Sequence, residues 1–194
     1  MRGGEERGSW AEGQLAYAVL RRDCAWVPHM LADWCLAEDY AYAQQKSRPE
    51  AQQQSLLARA LVRRLLYRKT GEKTLSLLRE ASGRMACAHA QWSYLSLTHS
   101  GQFVAAAISV APVSIDLECW KPRDVRALAA ALFPAQLPEI EVEGLPAFYA
   151  LWTQREARIK LGVDADMAQY RTFQHPARRY SLTVGSNRWP VQKD

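Results

Sequence analysis

The run from Phe103 to Val113, rich in Val, Ile and Ala, most constrains what this chain can fold into. Its β-branched content makes a strand the natural reading. Pro112 interrupts it, and a second short strand is predicted over Val113 to Cys119. Side chains alternate faces along a strand, so Ile115 and Leu117 point to a core while Asp116 and Glu118 point together to the other side. Two carboxylates one strand repeat apart repel each other unless a cation sits between them. The Asp116-x-Glu118 pair is therefore a candidate seat for Mg²⁺, which prefers oxygen ligands. On pattern alone, a solvated strand face is the simpler account of the same two residues.

A chain of 194 residues has room for one large domain or two small ones. With 48% hydrophobic and 23% charged residues it reads as a globular protein, and no apolar run approaches a membrane span. Residues 1–13 lack the apolar core of a signal peptide and read as a flexible tail, so a cytoplasmic location is expected. Cys24, Cys35, Cys87 and Cys119 are scattered without a Cys-x-x-Cys pair, which fits reduced structural thiols better than disulfides or zinc. The net charge of +5 suits an anionic ligand or an acidic partner, and equally nucleic acid. No nucleic-acid-binding motif accompanies it.

Taken in order, 14–20 suggests a first strand, and 30–45 is helical in part. Pro49 and Glu50 open a long helix that runs to about Lys69 and ends at Gly71. Leu57, Leu61 and Leu65 form its apolar stripe, and Arg59, Arg63 and Arg64 lie beside it, most simply as a solvated face. Leu75 to Leu78 suggests a short strand and Ser82-Gly83-Arg84 a turn carrying a cation. Trp92 to Leu97 is a β-type run ending in a predicted turn, Thr98-His99-Ser100-Gly101, whose amides and imidazole suit a phosphate. Arg123 to Phe133 reads as a helix, Pro138 to Glu143 as an acidic loop, and Pro146 to Leu161 as a further helix. On that last helix Trp152, Glu156 and Lys160 share one stripe, where a Glu156–Lys160 ion pair is the plain expectation. Tyr170 to Phe173 and Tyr180 to Val184 read as closing strands.

Three segments, 97–101, 114–118 and 152–160, together resemble the 4′-phosphopantetheinyl transferases. That family carries a Ser-His-Ser/Thr-type turn, a Gly-Ile/Val-Asp-Ile/Val-Glu strand and a Trp-x-x-Lys-Glu-x-x-x-Lys helix, in this order. The resemblance is to the surfactin-type, monomeric pseudo-dimer class. It implies an α+β fold with two similar α/β subdomains in pseudo-twofold arrangement, here 14–96 and 97–194, and an active site in the cleft between them. It implies Mg²⁺-dependent transfer of the phosphopantetheine arm of coenzyme A to a serine of an acidic apo carrier protein, releasing adenosine 3′,5′-bisphosphate. Nucleic acid and membrane are not expected partners. By the same resemblance Asp116, Glu118 and Glu156 hold the metal, Glu156 takes the serine proton, and Lys160 binds the diphosphate and the leaving group. His99 and Arg84 meet the 3′-phosphate, and Ser55 and Thr98 touch the nucleotide.

The sequence departs from the pattern at several points. Ser114 stands for Gly, Thr98 for Ser, Arg155 for Lys and Met85 for Pro, while Gln53 and Gln54 fall where a base is common. No metal ligand is lost, so an active enzyme is expected. The alternatives are a degenerate, non-catalytic module that binds coenzyme A or a carrier protein, and a nucleic-acid binder using the arginine flank of the long helix. The second would bind with steep salt dependence and ignore coenzyme A.

Overall fold

The computed structural model describes residues 5–8, 14–81 and 83–189. The described strands form two antiparallel sheets. The larger has the order β1-β2-β6-β5-β4-β3 and is built from β1 (Glu5–Gly8), β2 (Leu15–Arg21), β3 (Leu77–Arg79), β4 (Met85–Cys87), β5 (Tyr94–Ser100) and β6 (Phe103–Ser109). The smaller has the order β7-β9-β8, from β7 (Val113–Cys119), β8 (Gln169–His175) and β9 (Tyr180–Ser186). The helices are α1 (Val27–Trp34), α2 (Ala37–Gln44), α3 (Pro49–Thr70), α4 (Arg126–Leu132), α5 (Leu137–Glu143) and α6 (Leu145–Leu161).

The fold is α+β, and β6 explains why its sequence is apolar without alternation. Val104, Ala106 and Ile108 join Ala16, Ala18 and Leu20 of β2 in a core closed by Leu57, Leu61 and Leu66 of α3. The intervening Phe103, Ala105 and Ala107 face the other way, into a second core with Val113, Ile115, Leu117, Leu182 and Val184 of the smaller sheet. A strand buried on both faces needs apolar residues at every position. Each Leu fully buried against α3 contributes about 1.5–3 kcal/mol. A third cluster, around Phe148, Tyr149, Ile140 and Ala129, holds α4 and α5 against the start of α6.

The long helix ends as expected, with Gly71 at φ +79°. Two other expectations need correction. The stretch 138–143 is helical, because Pro138 sits in the first turn of α5, where its missing N–H is harmless, and Ile140 is buried. The segment 98–100 is strand, and only 101–102 turn, with Gly101 at φ +53°. A Cβ on Gly101 would come 2.9 Å from the Cys119 sulfur.

Within the stretch expected to be a tail, Glu5–Gly8 pairs with β2, while 1–4 and 9–13 lie outside the described residues. The expected subdomain boundary at 96/97 falls within β5, and the chain passes from one sheet to the other at 110–112. Ser82 of the predicted Ser-Gly-Arg turn lies outside the described residues. All four cysteines are free. No helix among the described residues is long and apolar enough to cross a membrane.

Candidate active site

β7 lies at the edge of the smaller sheet, and β5 of the larger sheet runs alongside it. No backbone ladder joins them. Instead, alternate hydroxyls of β5 accept the outward-facing amides of β7. The Ile115 N–H donates to Ser96 Oγ (3.0 Å), the Leu117 N–H to Thr98 Oγ1 (3.4 Å) and the Cys119 N–H to Ser100 Oγ (3.1 Å). Two of these hydroxyls also donate onward. Thr98 reaches Asp116 Oδ1 at 3.2 Å, and Ser100 reaches Glu118 Oε2 at 2.6 Å.

Asp116 and Glu118 thus point away from Ile115 and Leu117, as the alternation requires. The α6 side of the smaller sheet is polar. Thr183 of β9 shares hydrogen bonds with Thr153 of α6 (2.9 Å) and Thr172 of β8 (2.8 Å). Lys160 of α6 reaches across this face to Asp116 Oδ1 (2.6 Å) and the Ile115 carbonyl (3.1 Å). Lys160 therefore pairs with Asp116, while Glu156 takes its bond from Arg155 at 3.1 Å. The plain expectation of a Glu156–Lys160 helix pair gives way because Asp116 offers a buried, more demanding carboxylate.

These groups line one cavity of about 610 Å³ that spans both sheets. From the smaller-sheet side come Asp116, Glu118, Trp152, Glu156 and Lys160. From the larger-sheet side come Tyr42, Lys46, Ser55, Arg59, Arg79, Thr98 and His99. Seven of the eight residues singled out from sequence are therefore together. Arg84 is the exception. Its guanidinium donates to the Leu161 carbonyl (3.1 Å) and to Asp164 (2.8 Å), at the C-terminal end of α6.

The electrostatics are uneven. Burial pushes the Glu118 carboxyl above its ordinary value; the Ser100 hydrogen bond partly offsets this, and the charge of Asp116 adds to the rise. Asp116 is 5% exposed, and its Oδ2 is buried without a hydrogen-bond partner. Partial burial and the Lys160 charge hold His99 below its ordinary pKa. An orphaned carboxylate oxygen beside a carboxyl strained toward protonation fits a hard divalent cation. Among the described residues, no three acidic, His or Cys side chains are gathered around a single point. Asp116, Glu118 and Glu156 all line the same cavity.

The basic wall was hard to foresee. Arg59 and Arg63 are not solvated; they are 5% and 1% exposed and pair with Asp39 of α2, which is itself fully buried. Arg59 also lies over the Tyr42 ring at 4.2 Å. Arg79 donates to the Tyr42 hydroxyl at 3.3 Å. Lys46, Arg59 and Arg79 supply charge that Gln53 and Gln54 lack, and Gln54 instead holds the Gly101 carbonyl at 3.1 Å. The only sequence signal for this wall is the density of bases in 46–79, which does not say which of them turn inward.

No known family profile matches the chain. Among curated proteins it is similar to the 4′-phosphopantetheinyl transferase psf-1 of Bacillus pumilus, at 30% identity over 115 residues. The alignment takes in 55% of this chain and 48% of that protein, so the chain spans about half the length of the curated relative it matches.

Proposed function

We propose that the chain is a 4′-phosphopantetheinyl transferase of the surfactin type, moving the phosphopantetheine arm of coenzyme A to a serine of an acidic apo carrier protein. In this reading the two sheet-and-helix units are its pseudo-twofold halves, and the chain acts as a cytoplasmic monomer with neither nucleic acid nor membrane as a partner. One observation carries the reading: a single cavity joins a basic, aromatic wall to a carboxylate pair and a lysine. A nucleotide with a 3′-phosphate and a diphosphate asks for both ends.

On the basic wall, Lys46, Arg59, Arg79 and His99 face the nucleotide phosphates, and Ser55 lies beside them on α3. Asp116 and Glu118, with Glu156 across the cavity, would hold Mg²⁺. Bound there, the cation would neutralise the diphosphate and polarise the phosphorus under attack. Glu156, or a water it orients, accepts the proton of the carrier serine. The serine oxygen forms a bond to phosphorus as the bond to the nucleotide's phosphate oxygen breaks. Lys160 moves from its pairing with Asp116 to the leaving phosphate and stabilises its charge. The basic residues just ahead of and at the start of α4 are proposed as the carrier's landing site: Arg126 is exposed beside Glu141, and Arg123 lies over the Phe148 and Tyr149 rings.

Intact-mass spectrometry of apo carrier proteins, incubated with the protein, coenzyme A and Mg²⁺, tests the reading. The expected result is a mass gain of one phosphopantetheine arm on the carrier. Tight coenzyme A binding without any mass gain across fatty-acid, polyketide and peptide carriers would instead identify a binding module.

A further inference from the structure

Ser96, Thr98 and Ser100 occupy alternate positions on β5, and each accepts one amide of the β7 edge. A hydroxyl has one donor and can accept two bonds. Accepting from an amide leaves that donor free, and what it meets differs from rung to rung. Thr98 gives it to Asp116 and Ser100 gives it to Glu118. All three residues are buried, at 7–8% exposure, so water competes little for these bonds.

We infer that Thr98 and Ser100 are positioning residues: their hydroxyls fix β7 against β5 and aim Asp116 and Glu118 together as one cation seat. The inference rests on the cation seat proposed above. Pairing the β7 amides needs only an acceptor at each rung, yet Thr98 and Ser100 also donate to carboxylates. The second core already holds the sheets together through Phe103, Ile115 and Leu117. A hydroxyl that contacts both an amide and the carboxylate of the residue before it sets the side-chain torsion as well as the strand position. Groups that orient a metal's ligands commonly change affinity by about 10–100-fold when removed. Ser96 is the internal control. It makes the same amide bond, to Ile115, but the residue before that amide is Ser114, where the other two rungs have Asp116 and Glu118.

The test uses the full chain without coenzyme A or carrier, and Mn²⁺ as a spectroscopic probe of the seat. Ser100→Ala and Thr98→Val should each weaken Mn²⁺ binding about tenfold or more, whereas Ser100→Thr and Thr98→Ser should stay within about threefold of the parent. Amide exchange should quicken at Cys119 in Ser100→Ala, at Leu117 in Thr98→Val and at Ile115 in Ser96→Ala. Ser96→Ala should leave Mn²⁺ affinity unchanged. If Ser96→Ala weakens Mn²⁺ as much as Ser100→Ala does, the ladder only joins the sheets and the inference is overturned. It is equally overturned if Ser100→Ala binds Mn²⁺ like the parent, or if the parent binds none. Should Thr98→Val fail to fold, the Ser100 and Ser96 variants decide. A parent that binds Mn²⁺ yet modifies no carrier counts against the transferase reading, and the ladder is still judged on affinity and exchange.

Discussion

Asp39 is the residue whose removal should cost this fold most for a single polar group. It is fully buried on α2 and accepts from Arg59 (3.0 Å), from Arg63 and from the Leu36 amide that opens the helix (2.8 Å). Asp39→Ala would leave two guanidinium groups, 5% and 1% exposed, without their counter-charge. Breaking a buried pair in this way typically costs about 3–5 kcal/mol. Losing the helix-opening bond adds about 0.5–2 kcal/mol. Against this, Arg63 keeps Glu38 (2.8 Å) and the Leu75 carbonyl (3.1 Å), and Arg59 keeps the Tyr42 ring. The lower part of the range, about 3–4 kcal/mol, is therefore expected. For a domain of this size that is a fall in Tm of about 6–16 °C. Urea and thermal unfolding of Asp39→Ala measure it. Asp39→Leu combined with Arg59→Met and Arg63→Met removes the three buried charges together, leaves Glu38 half-exposed to water, and should recover much of the loss. A loss below about 1 kcal/mol in Asp39→Ala would mean that the cluster is solvated, and would refute the reasoning.

Asp116→Ala should keep the fold and abolish divalent-dependent transfer, checked by circular dichroism beside the carrier mass assay; full activity with Mg²⁺ still required would remove Asp116 from the seat. His99 has a folded pKa depressed below 6.5, so the unfolded chain binds its proton first and stability falls as pH drops from 6.5 through the folded value. His99→Gln should flatten that part of the acid-unfolding curve, and an unchanged slope would show that His99 is not the group responsible. Arg84→Ala should slow turnover equally with coenzyme A and with 3′-dephospho-coenzyme A, and Asp164→Ala should do the same, because both hold the end of α6. A loss in Arg84→Ala confined to coenzyme A would return Arg84 to the 3′-phosphate. Arg126→Glu, combined with charge reversal at Arg123, should raise the carrier KM at low salt, with the effect shrinking at high salt and the coenzyme A KM barely moving.

What the sequence disclosed and what it hid divide along one physical line. Period-two and period-3.6 patterns are written in consecutive residues, so β7 with its two outward carboxylates, the long α3 and α6 with Trp152, Glu156 and Lys160 could all be read directly. Interactions that depend on which distant residues meet leave no such trace. Arg59 and Arg63 look like a solvated flank until Asp39, 20 and 24 positions away, is placed beside them. Pro138 marks both the end of one segment and the first turn of another, and only the burial of Ile140 favours the helix. Likewise, 98–101 carries the composition of a turn, with small, polar residues and a glycine, yet forms a strand up to Ser100. Its hydroxyls have partners on β7, at sequence separations of 18 and 19. Small polar residues are ambiguous for this reason: a hydroxyl that can satisfy its own backbone in a turn can equally satisfy another strand's edge. Here the second use prevails, because β7 is an edge strand whose buried amides would otherwise go unpaired. The residues most easily mistaken for a loop are thus the ones that bring the two sheets, and the carboxylates between them, into register.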